Sequence, residues 1–312
     1  MITAVILNWN TADFTIRSAR ALARDGVPLE RIVVVDNGSI DDSFARFGEE
    51  LRGAVLVRLE ENVGFARASN LGARTLPGSS YLFVNSDAFL HRAGSIERML
   101  RALDDPRVGI VAPRILNMDG TLQPSVVPLS TPGVAAVRAS GLSRLVPNRI
   151  QPSWSTHWDH SSSREVQAAN GAVLLVRRET MDALGGFDER IHMYAEDLDI
   201  CWRARNIGRC VWFVHDAEFL HLGAGSTGGN ERDPVRAERI GRSEAIMLSR
   251  NLSPAAARVT TGLMAAGLLG RAAWYRARGK SEAAAEMRGS LRGLRAGRRD
   301  ARAELTRRAR GT

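Results

Sequence analysis

The first 125 residues alternate short, largely β-branched apolar runs with longer amphipathic stretches. Apolar runs of this length are typical of strands buried on both faces, and the stretches between them have helical periodicity. This alternation is typical of βαβ units and predicts an α/β fold in which helices flank a mostly parallel sheet. The predicted strands are 2–8, 31–36, 54–59, 81–85 and 108–112, and the predicted helices lie near 11–24, 41–52, 64–76 and 94–104.

The remainder of the chain is less regular. Residues 126–164 are rich in Pro, Ser and Arg with weak periodicity, so we interpret them as an insertion or lid. The alternating pattern of the first 125 residues and the regular pattern after residue 164 together predict one α/β domain over residues 1–250. The later predicted elements are a strand at 172–176, a helix near 195–207, a strand at 210–214 that can extend to 220, and a helix near 235–249.

The net charge of +9 is concentrated at the end of the chain. Residues 271–312 carry 13 basic and 4 acidic side chains, whereas the whole chain has 43 and 34, so residues 1–270 are balanced. A balanced body argues against nucleic acid as a partner. The two cysteines, Cys201 and Cys210, exclude a disulfide framework and fit a reducing, cytoplasmic compartment. We interpret both as small buried apolar residues.

The C-terminal region combines an apolar helix with a basic flank. Its longest uncharged run, 259–270, is too short to span a bilayer, and it precedes Trp274, Tyr275 and many arginines. This pattern predicts an amphipathic, membrane-proximal helix at 251–280 and an arginine-rich tail at 281–312, lying on an anionic membrane surface. The alternatives are a helix that packs on the domain or on a second subunit of a homo-oligomer, and a tail that is a solvated charge run.

Polar residues follow several of the predicted strands, where ligands bind in doubly wound sheets. A single Asn or Asp at such a position is ordinary turn or capping chemistry. Four successive strand ends of this kind favour acceptors for a base and ribose and ligands for a cation. The turn after the first strand contains no glycine and no G-x-x-x-x-G-K-[ST] motif occurs, which argues against a nicotinamide dehydrogenase and a P-loop NTPase.

The ordered motifs VILNWN, VVDNGS, NVGFARASN, FVNSDA, NGAVLLVRRE, GGFDE and AEDLDICWR cover roughly residues 2–222. In this order and spacing they resemble family 2 glycosyltransferases with the GT-A fold, and most of all the bacterial rhamnosyltransferase-like branch. The resemblance implies a nucleotide-binding sheet and inverting transfer of a sugar from a nucleoside-diphosphate donor, assisted by Mg²⁺ or Mn²⁺. It suggests dTDP-L-rhamnose as donor and a polyprenyl-diphosphate-linked sugar as acceptor, with residues 126–164 on the acceptor side. The implied location is the inner face of the cell membrane, in cell-envelope polysaccharide synthesis.

The resemblance also assigns catalytic and metal-binding roles. Asn85-Ser86-Asp87 matches the family's D-x-D motif, with Asn85 departing from the acidic pattern and Asp87 at the metal-binding position. His221 occupies the place of a metal-binding histidine, and the donor's phosphates would complete the coordination shell. Asp197 matches the base, with Glu196 supporting it or positioning the acceptor.

Donor recognition is implied for the remaining motif residues. Asp36 matches the position that contacts the pyrimidine, Gly64 and Gly171 would let a ligand approach closely, and Arg67 would pair with a phosphate or with Asp36. The expected donor-binding residues are Asn8, Asn10, Asp36, Asn62, Gly64, Arg67, Asn85, Ser86 and Gly171.

Simpler interpretations apply to other residues. Asp199 and Arg203 are four apart on a predicted helix and are expected to form an ion pair. The aromatic residues of the insertion either stack on an acceptor sugar or form a small local cluster; they are Trp154, His157, Trp158 and His160.

Other functions remain open at this stage. A family 2 transferase could use UDP-linked N-acetylglucosamine, hexose or galactofuranose, because pocket shape is not legible in sequence. A nucleotidyltransferase would usually show a G-x-G-x-R-type loop after the first strand, which is missing. A non-catalytic nucleotide-sugar-binding protein would keep Asp36 but lose the base or a metal ligand, and Asp87, Asp197 and His221 are all present.

Overall fold

The computed structural model describes residues 1–141, 158–223 and 232–309, with side chains to 304. Within this part of the chain a large mixed sheet is covered by helices on both faces. The strands are β1 (Ile2–Asn8), β2 (Ile32–Asn37), β3 (Val55–Leu59), β4 (Ser80–Asn85), β5 (Ala88–Leu90), β6 (Val108–Leu116), β7 (Val126–Val127), β8 (Arg164–Val166), β9 (Ala168–Ala169), β10 (Val173–Arg177) and β11 (Cys210–His221).

In the first half of the chain the helices lie close to their predicted positions. In the second half the structure contains several helices that were not predicted. A short 3₁₀ turn at Leu29–Arg31 precedes β2. The helices are α1 (Ala12–Arg24), α2 (Ser43–Glu50), α3 (Phe65–Thr75), α4 (Ser95–Ala102), α5 (Pro132–Ser140), α6 (Arg178–Leu184), α7 (Glu196–Asn206), α8 (Pro234–Asn251), α9 (Pro254–Ala277) and α10 (Ser281–Ala309).

The sheet is parallel on one side and mixed on the other. Strands β3, β2, β1 and β4 are neighbours in that order and run parallel, as the alternating pattern predicts. Strand β10 lies antiparallel between β4 and β6, while β11 runs parallel to β6 and pairs antiparallel with β5 and β8. The antiparallel direction of β10, a strand predicted at 172–176, was not predictable from hydropathy, because an antiparallel strand covered on both faces is as continuously apolar as a parallel one.

The core consists of two apolar layers, one on each face of the sheet. In β2, Val33 and Val35 belong to one layer while Ile32 and Val34 belong to the other, as the alternation of side chains along a strand requires. All four are completely buried. The parallel strands therefore end at one buried edge, and their register places Asn8 beside Asp36 and Leu7 beside Asn85.

The segment 126–164 contains regular structure where it is described. Helix α5 begins with Pro132, and the Thr131 hydroxyl accepts a hydrogen bond from the Val134 N–H. A Thr-Pro pair is a recognised helix start, so the sequence carried a signal for α5 that the weak periodicity obscured. Helix α5 packs against α9. The segment's role as a lid remains a prediction.

The three C-terminal helices pack on one another and on the domain. Helix α10 lies along α8, and its Gly289, Gly293 and Gly297 each face a backbone carbonyl of α8 that a side chain would displace. Leu291 and Leu294 pack with Leu268 of α9 and Ala245 of α8. The described part of the tail is therefore a packed helix and not a solvated charge run. None of the described helices combines the length and the apolar character needed to cross a membrane.

Candidate active site

A cleft of about 410 Å³ opens at the carboxyl ends of β1, β2 and β4. Helices α7 and α8 form its other walls. This is the position at which open α/β sheets bind ligands, and it is where the strand-end side chains were expected to meet. Of the residues predicted from sequence, the cleft is lined by Asn8, Asn62, Asn85, Ser86, Asp87, Gly171, Glu196, Asp197 and His221.

Asn8 and Asp36 form a buried hydrogen-bonded pair at the ends of β1 and β2. The Asn8 Nδ2 group donates to Asp36 Oδ1 at 3.0 Å and to Ser39 Oγ at 2.9 Å, and Ser39 Oγ also donates to Asp36 Oδ1. Asp36 lies behind the cleft wall, and its Oδ2 atom is buried with no hydrogen-bond partner among the described residues. A buried carboxylate oxygen without a partner is costly, so this atom is a candidate for a ligand's N–H group.

Two other expected donor residues shape loops around this pair. Asn10 lies outside the cleft wall, with φ of 54°, and its Oδ1 accepts a hydrogen bond from the Ile40 N–H at 2.9 Å. Asn62 does line the cleft, and its Oδ1 accepts from Asn37 Nδ2 at 3.2 Å and from the Gly64 N–H at 3.0 Å.

Gly64 and Arg67 do not line the cleft, so the donor-binding roles expected of them stay predictions. Gly64 caps α3 with φ of 86°, and the group that packs against it is His192. Arg67 is exposed on α3 and does not line the cleft. It does not pair with Asp36, whose described partners are Asn8 and Ser39. The motif places Arg67 on helix α3, but the sequence alone does not predict which side of that helix faces the cleft.

Asp87 and His221 are brought together by a strand pairing that the sequence did not reveal. Strand β5 pairs with the end of β11, so that His221 lies opposite Ala88, and the Leu222 N–H donates to the Asp87 carbonyl at 3.1 Å. The distance between His221 Nε2 and Asp87 Oδ1 is 3.4 Å, and both side chains are largely buried. The expected metal-binding pair is therefore assembled in the structure.

The surroundings of His221 suit a metal ligand. Its Nδ1 lies 2.7 Å from Gln123 Oε1, and the Gln123 Nε2 group donates to Asn117 Oδ1 at 3.0 Å, which fixes the amide's orientation. Nδ1 thus contacts an oxygen, and Nε2 is left on the side of Asp87, the arrangement that second-shell partners commonly give a histidine ligand. No group of three or more His, Cys, Asp or Glu side chains with metal-binding geometry occurs among the described residues. A cation held here would need oxygens from a substrate as well.

Asp197 is fixed in the cleft by two backbone N–H groups. Its Oδ2 accepts from the Gly171 N–H at 2.7 Å and its Oδ1 from the Leu198 N–H at 2.8 Å, at the first turn of α7. A Cβ atom on Gly171 would lie 2.8 Å from the Asp197 Cβ. Gly171 therefore makes room for the carboxylate and orients it, and because Gly171 also lines the cleft, the expected close approach of a ligand to it stays a prediction.

The neighbouring carboxylates Glu196 and Asp197 have different electrostatic environments. Burial, followed by the charge of Asp197, raises the pKa of Glu196 well above its ordinary value, and Glu196 Oε2 has no hydrogen-bond partner in the described structure. Burial also raises the pKa of Asp197, but its hydrogen bonds from Gly171 and Leu198 oppose this effect. Environments that shift the pKa values of two adjacent carboxyl groups apart favour one protonated and one ionised group. Glu196 is the better proton holder and Asp197 the better base.

The backbone before this pair is strained. Tyr194 and Ala195 both have positive φ, 68° and 66°, which is unusual for residues with a side chain. The Ser243 hydroxyl of α8 donates to the Met193 carbonyl at 2.8 Å and supports the segment. Strain of this kind concentrates at functional sites, because packing must hold it in place.

Helix α8 contributes cleft residues that sequence reasoning missed. Arg236, Ile240 and Glu244 face the cleft at intervals of four residues. The helix itself was predicted, but its inward face is set by contacts with α7 and α10 that no local signal encodes. Arg236 lies over the Tyr194 ring at 5.6 Å, and its Nε is buried with no hydrogen-bond partner among the described residues.

Several simpler expectations are confirmed. Arg203 Nε lies 2.6 Å from Asp199 Oδ2 in a buried ion pair. Cys201 is buried as expected, and burial raises the pKa of its thiol to about 12, whereas Cys210, at the start of β11, is only half-buried. Trp158 and His160 stack at 4.3 Å and pack against Phe213, so they form the local cluster and not a cleft surface. Trp154 and His157 lie outside the described residues, as does most of the glycine-rich loop after His221.

Comparison with known sequences identifies relatives of this chain. The profile of Glycosyl transferase family 2 matches residues 3–136. The N-acetylglucosaminyl-diphospho-decaprenol L-rhamnosyltransferase of Mycobacterium tuberculosis is 30% identical over 234 residues, covering 69% of this chain and 74% of that enzyme. The O-antigen biosynthesis protein RfbC of Myxococcus xanthus is 25% identical over 203 residues, covering 64% of this chain and 15% of that protein.

Solved structures agree at the level of the fold. The mannosyltransferase PcManGT of Pyrobaculum calidifontis, solved with GDP-Man and Mn²⁺, has a TM-score of 0.58 at 16% identity, covering 94% of this chain and 86% of that one. GalNAc-T7, solved with UDP, GalNAc and Mn²⁺, has a TM-score of 0.54 at 16% identity, covering 79% of this chain and 48% of that one. The chain thus belongs to Glycosyl transferase family 2, in its rhamnosyltransferase-like branch, and has the GT-A fold.

Proposed function

We propose that the protein is an inverting, metal-dependent glycosyltransferase that moves L-rhamnose from dTDP-L-rhamnose to a hydroxyl of a polyprenyl-diphosphate-linked sugar. The observation that carries the proposal is Asp197, a cleft carboxylate held by two backbone N–H groups. The paired Asp87 and His221 lie in the same cleft. The donor sugar and the lipid-linked acceptor are suggested by the relative that acts on N-acetylglucosaminyl-diphospho-decaprenol.

Asp197 supplies the base in this proposal. One carboxylate oxygen of Asp197 accepts the proton of the acceptor hydroxyl. At the same time the hydroxyl oxygen of the acceptor bonds to the anomeric carbon of the donor sugar. The bond from the anomeric carbon to the phosphate oxygen breaks on the opposite face, and the nucleoside diphosphate leaves with the electron pair. Burial and the charge of Asp197 raise the pKa of Glu196, which disfavours a second negative charge next to the base.

Charge on the leaving diphosphate is met by a cation and by Arg236. Asp87 and His221 would hold Mg²⁺ or Mn²⁺, which neutralises the departing phosphate when bound. Asn85 replaces one carboxylate of the usual motif, so the protein offers one negative charge fewer to the cation. Arg236, with its buried and unpartnered Nε on the cleft wall of the described structure, is suited to a phosphate oxygen.

Recognition of the base would use Asp36. No described residue donates a hydrogen bond to its buried Oδ2 atom, so Oδ2 can accept one from the ring N–H of a pyrimidine. Thymine and uracil share that N–H, so this contact does not separate dTDP from UDP donors.

We also propose that α9 lies on an anionic membrane on the cytoplasmic side. One side of α9 packs on α5 and α10. Val259, Leu269 and Trp274 of the same helix are exposed. Arg278 lies 4.2 Å above the Trp274 ring, next to the other basic residues of the flank. Apolar and aromatic side chains bordered by arginines suit the boundary between headgroups and acyl chains.

A donor panel tests the function. The purified protein would be given dTDP-rhamnose and UDP-sugars separately, with Mg²⁺ or Mn²⁺ and a lipid-diphosphate N-acetylglucosamine acceptor, and products identified by mass. We expect transfer from dTDP-rhamnose that EDTA abolishes and added Mn²⁺ or Mg²⁺ restores. Transfer from a UDP-sugar alone would replace the rhamnosyl donor. Nucleotide binding without transfer from any donor would favour a binding protein in this fold.

A further inference from the structure

The cleft-facing side of α8 carries charged groups that the proposed reaction does not fully use. Arg236 and Glu244 are eight residues apart, about 12 Å along the helix, so they do not neutralise each other. Ile240 lies between them on the same face. Arg236 has been assigned to a phosphate, which leaves Glu244 as a carboxylate in the cleft wall without a role.

Glu244 differs from the other charges of α8. Glu238 pairs with Arg292 at 2.8 Å, Arg242 with Asp300 at 2.7 Å, and Arg250 with Asp188 at 3.1 Å. Glu244 is partly buried and has neither a hydrogen bond nor an ion pair within the described chain. Burial raises its pKa to about 6, and the opposing charge of Arg138 on α5 does not compensate. A partly desolvated carboxylate that lines a cleft is a favourable hydrogen-bond acceptor for a ligand.

Glu244 lines the same cleft as Asp197, and its helix is anchored to the segment that leads to this base. Its neighbour Ser243 hydrogen-bonds to Met193, four residues before Asp197, and Met193 and Asp197 both line the same cleft. A carboxylate repels the donor's phosphates and accepts hydrogen bonds from neutral sugar hydroxyls. The acceptor's hydroxyls are expected in this cleft, because the attacking hydroxyl must reach Asp197.

We propose that Glu244 is an acceptor-specificity residue, which accepts hydrogen bonds from non-reacting hydroxyls of the acceptor sugar. This inference rests on the proposed glycosyl transfer. In this arrangement α8 serves both substrates, with Arg236 facing phosphate in its first turn and Glu244 facing the acceptor two turns later.

The test is steady-state kinetics of Glu244→Gln with a short-chain lipid-diphosphate N-acetylglucosamine and dTDP-rhamnose varied in turn. We expect the acceptor KM to rise roughly tenfold or more, the scale of one hydrogen bond to a charged group. The donor KM and kcat should stay within about twofold, because the base and the phosphate contacts are intact. Glu238→Gln, on the same helix but paired with Arg292 away from the cleft, is the matched control and should match the wild type.

Acceptor analogues that lack one non-reacting hydroxyl give a second readout. One analogue should raise the wild-type KM by the same factor as Glu244→Gln, and combining that analogue with the variant should add no further increase. A merely structural role would not produce this coupling.

The outcomes separate the two claims. A wild-type enzyme that transfers sugar while Glu244→Gln keeps the normal acceptor KM overturns the role of Glu244 alone. A rise in donor KM without a change in acceptor KM does the same and assigns the carboxylate to the donor sugar. A wild-type protein that transfers no sugar overturns the proposed function and this inference together.

Discussion

The contact between Gly171 and Asp197 shows how individual residues define the site. Both positions were singled out from motifs, but only the structure reveals that the glycine N–H holds the carboxylate and that the missing side chain makes room for it. The two residues are 26 apart in sequence, on either side of β10 and α6. A motif match can supply the residue types of such a pair, whereas their mutual orientation depends on tertiary packing.

Gly171→Ala should lower kcat by roughly tenfold to a hundredfold, because the new methyl group displaces Asp197 from its hydrogen bond and small displacements of a reacting group are costly. Donor binding should change little. The measurement is kcat for sugar transfer together with nucleotide affinity. Gly48→Ala on α2, where a Cβ meets nothing within 4 Å, is the control. A Gly171→Ala enzyme with normal kcat would remove the positioning role.

Glu196→Gln should stabilise the folded protein at neutral pH. The raised pKa of Glu196 means that folding favours its protonated form, so its contribution to stability is complete below the unfolded pKa of about 4.3 and is lost as pH rises through the folded pKa. Because Gln does not ionise, the Glu196→Gln variant does not lose this stability as pH rises. The melting temperature of Glu196→Gln should therefore exceed that of the wild type by a margin that grows from pH 4 upward. A margin that is constant or negative across this range would contradict the assignment, and the exposed Glu49→Gln serves as control.

At the scale of elements, the glycines of α10 explain how a tail rich in arginine becomes a packed helix. Spacing of four places Gly289, Gly293 and Gly297 on one face, where the backbones of α8 and α10 approach closely. The arginines then lie on the remaining faces. Composition drew attention to the charges, and the glycine spacing that determines the packing was overlooked.

Gly293→Ala should destabilise the protein by about 1–3 kcal/mol, because its methyl group would overlap the Glu238 carbonyl of α8. Urea unfolding measures the change. Gly270→Ala on α9, where a Cβ meets nothing within 4 Å, should be neutral or slightly stabilising. Equal midpoints for the two variants would show that α10 does not pack on α8 in solution.

The exposed face of α9 predicts binding to anionic vesicles. Leu269 and Trp274 are 53% and 47% exposed, and replacing both by Ser removes apolar groups expected to enter the interface. The variant should bind phosphatidylglycerol vesicles roughly tenfold more weakly or worse in flotation assays. Salt should weaken wild-type binding as well, since the basic flank contributes.

The control is Ile40→Ser, which removes an exposed apolar side chain outside α9. Wild-type protein that does not float with anionic vesicles, or a double variant that floats equally well, would contradict the membrane role of α9.

At the scale of the whole molecule, the parallel half of the sheet and the helices that follow its strands were predictable because their hydrophobic pattern is local. The strand β10 was predicted at 172–176 but its antiparallel direction was not, and β5 and β8 were missed, since strand direction and short edge strands depend on pairing between distant segments. For the same reason, sequence supplied Asp87, His221 and Asp197 as candidates, while the cleft face of α8 emerged only from the assembled fold. Gly64 and Arg67 belong to a motif but do not line the cleft, so the donor contacts expected of them stay predictions.

The central claim is that Asp197 is the base, and Asp197→Asn tests it most directly. The amide keeps the shape of the side chain but cannot accept the acceptor's proton. Single-turnover transfer should fall by about 10²–10⁴-fold, while the affinity for the nucleotide sugar stays within a few-fold of the wild type. An Asp197→Asn enzyme with wild-type transfer rates would contradict the account, since the carboxylate held by Gly171 and Leu198 would then have no part in the chemistry.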